Sequence, residues 1–137
     1  MKDNSNFESR TGNLSCTSEA LFNFITDIRN FEQFIPDGVI QNWQATADNC
    51  NFQVPPLGFV NIRISDRTQY STVVYSGNAL QKNDFNLFIH ISENEKNLAE
   101  VRLSLTAELN QVMKIMAAAP IERFLETLIS EMEKFEM

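Results

Sequence analysis

The chain has 137 residues, 43% of them apolar, with a net charge of −7 and eleven Phe against one Trp and two Tyr. A single domain of this length, over 1–137, buries about 68% of the surface its unfolded chain exposes, enough for one real core. The acidic balance excludes the clustered Lys and Arg that nucleic acid and anionic membranes demand, so neither a nucleic-acid partner nor stable membrane association is expected.

Cysteine and histidine usage narrows the chemistry further. Cys16 and Cys50 have no CxxC spacing, and His90 is the single histidine. That set makes neither a disulfide framework nor a zinc site. We expect free thiols, no metal and no cofactor. The N-terminal stretch MKDNSNFESR lacks an apolar signal core, and no run approaches the roughly 18 apolar residues of a membrane span. A cytoplasmic location follows as an expectation.

In chain order, residues 1–5 read as a polar tail and Asn6 to Leu14 as a first strand. Thr17 or Ser18 caps a helix over 18–28, with Ala20, Leu21, Phe24, Ile25 and Ile28 at helical spacing. Asn30 restarts the pattern as a short second helix, with Phe31, Phe34 and Ile35 on one side. Pro36-Asp37-Gly38 is a turn. The period then changes to two. Val39, Gln41, Trp43, Ala45 and Ala47 share a face, Asp48-Asn49 turns, and Cys50, Phe52 and Val54 share the next. Pro55 to Gly58 ends that strand.

Val60, Ile62 and Ile64 alternate with polar neighbours, and Tyr70 to Tyr75 is β-rich. A bulge near Asp66 would turn Arg67 or Gln69 inward, where an arginine would meet a ligand carboxylate. A loop spans Asn78 to Asn83. Phe85, Leu87, Ile89 and Ile91, then Val101, Leu103, Leu105, Ala107 and Leu109, give one dry face and one wet face, as in an antiparallel sheet. His90 lies on the wet side with Asn86, so we read it as exposed rather than catalytic.

The longest helical pattern is Gln111 to Phe135. Val112, Ile115 and Met116 open its apolar stripe, and Ile121, Leu125, Leu128, Met132 and Phe135 continue it. Pro120 predicts a kink, or a break with Pro120 opening the longer half. Strands and helices are segregated, so the fold class is α+β.

The stretch LSCTSEALFNFITDIRNFEQFIPDGV, residues 14–39, resembles the opening of the START-like, or SRPBCC, superfamily. Leu14, Glu19, Phe22, Ile25, Asp27, Phe31, Phe34 and Pro36 carry the likeness, and the final helix extends it over nearly the whole chain. FITDIRNFEQFIP is most similar to the polyketide cyclase and coenzyme Q-binding branch. The resemblance implies a helix-grip fold: a curved antiparallel sheet wrapped around a long C-terminal helix, with two short helices after the first strand. Members include hydrophobic-ligand carriers, aromatase/cyclases, hormone receptors and chaperone co-activators.

On this basis the expected partner is a small hydrophobic or amphipathic molecule, a lipid, isoprenoid or polyketide, held between sheet and helix. Trp43, Phe52, Tyr70, Phe85, Leu87, Ile89, Leu103 and Leu105 are the candidate lining from the sheet. Met113, Met116, Phe124 and Leu128 are the candidates from the helix. Apolar walls with few polar groups are what such sites need. No catalytic residue is singled out. A cyclase/aromatase-like enzyme and a ligand-free homodimer are the alternatives.

Overall fold

A computed structural model of the chain describes residues 3–35, 38, 40–54, 58–79 and 83–135. Expectations for Pro36, Asp37, Val39, Pro55 to Leu57 and positions 80–82 lie outside these. The elements are β1 Asp3–Glu8, β2 Gly12–Asn13, α1 Ser18–Ile25, a 3-10 helix Ile28–Phe34, β3 Gln41–Ala45, β4 Asn49–Val54, β5 Gly58–Thr68, β6 Thr72–Ala79, β7 Asn83–Glu93, β8 Ala99–Leu109 and α2 Gln111–Glu133. The strands make one antiparallel sheet in the order β1-β8-β7-β6-β5-β4-β3, with β2 also on β8. The class is α+β, as the segregated pattern predicts.

The first strand is two pieces. β1 begins at Asp3, inside the stretch read as a tail, and Ser9 to Thr11 separate it from β2. Here Ser9 is tied to β8: its N–H donates to the Leu103 carbonyl at 2.9 Å, and its hydroxyl accepts from the Leu103 N–H at 2.9 Å.

α1 starts where Thr17 accepts a hydrogen bond from the Ala20 N–H at 3.1 Å. It stops three residues short of Ile28. Asp27 is extended there and accepts from the Arg29 N–H, which starts the 3-10 helix instead. A short side chain able to bond the backbone ahead of it competes with helix continuation.

Two irregularities bend the sheet. Asn42 adopts φ 57°, and the β3–β4 register shifts between Gln41 and Gln44. This bulge breaks the even alternation expected from Val39 to Ala47: Trp43 and Ala45 are half-buried, whereas Gln41 and Ala47 are exposed. A second bulge falls between Ile64 and Asp66. It does not turn Arg67 or Gln69 inward; both are exposed. Bulges add twist where a sheet must curve.

α2 lies against β1, β2, β8 and the 3-10 helix. Asn110 caps it by accepting from the Met113 N–H at 2.8 Å. The helix runs without a break through Pro120. Buried Ala117 on one side of the proline and buried Leu125 on the other anchor both halves on the sheet. Tertiary packing thus outweighs the one hydrogen bond Pro removes.

At its far end, the Glu133 carboxylate accepts from the Arg10 guanidinium at 2.8 Å and from the Asn13 N–H at 3.0 Å. Both contacts hold the Glu133 carboxyl below the usual carboxylate range, the Arg10 hydrogen bond first.

The inward stripe of α2 differs from the predicted one in its first half. Val112, Ile115 and Met116 are 66%, 74% and 71% exposed. Ala117 is buried, and Met113, Ala118, Ile121 and Phe124 pack partly buried against the core. Residues 113, 117, 121 and 124 form the inner line.

Candidate functional site

Beneath α1 and the 3-10 helix, Leu21, Ile25, Phe31, Tyr75, Ile89, Leu103, Leu125 and Leu128 are essentially inaccessible. The Tyr75 hydroxyl donates to the Ile25 carbonyl at 2.6 Å, and its ring meets Phe31 edge-on. That region is dry and closed.

The partly buried apolar residues packed against this core include Trp43 on β3, Val54 on β4, Phe85 on β7, and Met113, Ile121 and Phe124 on α2. Trp43 stacks on Phe52 with centroids 5.5 Å apart.

One row runs across seven strands. The pairings place Ser5, Ala107, Phe85, Gly77, Ile62, Cys50 and Ala45 side by side. Five of the seven are small. Ser5 is buried, and its hydroxyl has no hydrogen-bond partner among the described residues. A buried hydroxyl left unpaired costs about 1–3 kcal/mol.

The twelve candidate lining residues separate accordingly. Phe52, Leu87, Ile89, Leu103, Leu105 and Leu128 are buried in the core. Trp43, Phe85, Met113 and Phe124 are partly buried at the edge of the core. Two are placed elsewhere. Met116 points to solvent on the outer side of α2. Tyr70 sits at φ 63° in the turn before β6, its ring edge-on to Phe22 and its hydroxyl 3.4 Å from Glu19, so it packs outside α1 rather than in the interior. Ser5 went unread because a polar DNSN run carries no apolar alternation; pairing with β8 gives it its place.

Ionisable groups inside the protein are few. No charged side chain is buried among the described residues. Burial pushes the Cys50 thiol up to about 12, and raises Cys16 and Tyr75 as well. His90 is half-buried on the convex face, flat against Phe88, with Nε2 3.4 Å from the Ser104 hydroxyl. Among the described residues no group of three or more His, Cys, Asp or Glu is placed to hold a metal.

The thiols give a test of burial. Cys50 stays protonated in the fold above the pH at which an unfolded thiol ionises, so the unfolded chain binds fewer protons in that window. Stability should fall as pH rises from about 9 toward 12, by up to about 1.4 kcal/mol per pH unit. Ellman's reagent should react with Cys50 only on unfolding; rapid labelling of the native protein would contradict its burial.

No family model and no curated protein sequence matches the chain. Solved structures do. Norcoclaurine synthase from Thalictrum flavum superposes with TM-score 0.74 at 6% identity, covering 98% of this chain and 94% of that one. XoxI from Bacillus cereus gives 0.69 at 14% identity, covering 97% and 93%. An uncharacterised protein from Bacillus thuringiensis gives 0.68 at 16% identity, covering 98% and 97%. The chain has the helix-grip fold. Among the described residues no helix of this helix-grip protein is long and apolar enough to cross a membrane.

Proposed function

We propose that this helix-grip protein binds a small amphipathic molecule on the concave face of its sheet. The observation that carries the reading is Ser5: a buried hydroxyl, unpaired among the described residues, in a row of small side chains that also holds partly buried Phe85. A ligand with an apolar body and one hydroxyl or carbonyl would rest on this face and pair with Ser5. Burial of apolar surface would drive binding. The Thalictrum neighbour is a synthase, and its structure holds a transition state analogue. Here the scarcity of buried ionisable groups favours holding a molecule over transforming it.

Native and denaturing mass spectrometry of the purified protein should reveal a lipophilic companion. If it arrives empty, uptake of N-phenyl-1-naphthylamine should be saturable, abolished by Met113→Trp and unaffected by Met116→Trp. Ser5→Ala should raise the unfolding midpoint of the empty protein. No companion and no uptake would end the reading; an unmoved midpoint would remove Ser5 from it. The exposed Val112, Ile115 and Met116 stripe favours a second reading, burial against another copy of the chain, which the same native spectra report as a dimer mass.

A further inference from the structure

On the face of the sheet away from α2, β4, β5 and β6 flank an open groove of about 230 Å³, lined by the outward Asn49, Asn51, Asn61, Arg63, Ser76 and Asn78 together with the intervening Cys50, Ile62 and Gly77. The pairings Asn51–Asn61–Asn78 and Asn49–Arg63–Ser76 set these side chains in two rows across three strands. With strands about 4.8 Å apart and next-but-one residues about 6.7 Å apart, the patch measures about 10 by 7 Å. That is the footprint of one sugar ring with its substituents.

The chemistry of the patch is specific in two ways. First, Arg63 is exposed and flanked across the strands by the neutral Asn49 and Ser76, and among the described residues the ion pairs belong to Arg10, Arg29 and Lys134 instead. In a chain of net charge −7, it is a cation in a ring of amides and hydroxyls. Second, the Asn61 Nδ2 donates to the Asn78 Oδ1 at 3.2 Å. This leaves the Asn61 oxygen as acceptor and the Asn78 amide as donor side by side, the pattern a vicinal pair of hydroxyls satisfies. Below them, the Ser76 hydroxyl donates to the Asn86 Oδ1 at 2.5 Å and shares a hydrogen bond with Ser65, which holds the floor in place.

We propose that this convex groove binds a small hydroxylated anion, a sugar acid or sugar phosphate, with Arg63 forked onto the carboxylate or phosphate oxygens and the asparagines on the hydroxyls. The overall negative charge of the protein weakens the attraction of any anion to this face.

Nitrogen-15 NMR titration of the full chain tests it, with glucuronate, glucose 6-phosphate, glucose, acetate and inorganic phosphate as probes. The side-chain amide signals of Asn51, Asn61 and Asn78 should shift at concentrations of glucuronate or glucose 6-phosphate at least tenfold below those needed with glucose. The tighter of those two identifies the anion class. Arg63→Gln, at an exposed position, should raise the midpoint at least tenfold and leave the remaining spectrum in place. The near-isosteric Asn61→Asp should raise it by repulsion. Acetate or inorganic phosphate matching the sugar anions would mean an ion pair without a sugar site and would overturn the proposal. So would unshifted amides, or midpoints unmoved by both variants.

Discussion

Gly77→Ala should be among the most damaging single substitutions in the sheet. A Cβ at position 77 would lie 1.8 Å from the Asn61 carbonyl oxygen and 3.0 Å from the Ile62 Cα. Both are backbone atoms of the neighbouring strand, so no side-chain rotation relieves the clash. β5 and β6 would have to part where Ile62 pairs with Gly77. Forced overpacking of this kind typically costs about 1–3 kcal/mol, and a clash with backbone belongs at the upper end or beyond it. Urea denaturation followed by circular dichroism should show the midpoint falling with little change in slope. A shift under about 0.5 kcal/mol, the scale of a neutral surface change, would mean that the strands separate freely and that the close approach is not structural.

Leu128→Ala and Ile115→Ala should differ by an order of magnitude although both remove apolar atoms from one helix. Leu128 is fully buried in the core, and its truncation should cost about 2–5 kcal/mol through lost transfer energy and a residual cavity. Ile115 is 74% exposed, so its truncation should stay within about 0.5 kcal/mol. Thermal unfolding of the two variants in parallel reads the contrast directly. Comparable losses would place Ile115 at an interface, either within the fold or with a second copy.

The pair also marks where sequence periodicity misleads. From Leu125 to Met132 every large apolar residue at helical spacing faces the sheet, and pattern and packing agree. From Val112 to Met116 the bulkiest apolar residues form an equally regular stripe, but it faces outward. A hydrophobic pattern finds a stripe; it does not say which of two stripes is covered. Packing of α2 against the sheet buries Ala117 and leaves Val112, Ile115 and Met116 outside. The bulge at Asn42 and the left-handed turn at Tyr70 are further examples. The first shifts the strand register and the second carries the Tyr70 ring out to Phe22, and neither position is a glycine that would announce it.

By itself the sequence determined the α+β class, the two dry strand faces of β7 and β8, a capped helix starting near Thr17 or Ser18 and the long final helix, whereas burial of Leu87, Ile89, Leu103 and Leu128 came from the tertiary structure. The former follow from period and capping, which are local in the chain. Tertiary structure alone decided the rest: that Ser5 is buried without a partner, that Tyr70 and Met116 stand outside the interior, that Pro120 leaves α2 unbroken, and that five asparagines and serines gather round Arg63 on the convex side. Each depends on strand register and helix approach, and those are set by contacts between residues tens to a hundred positions apart.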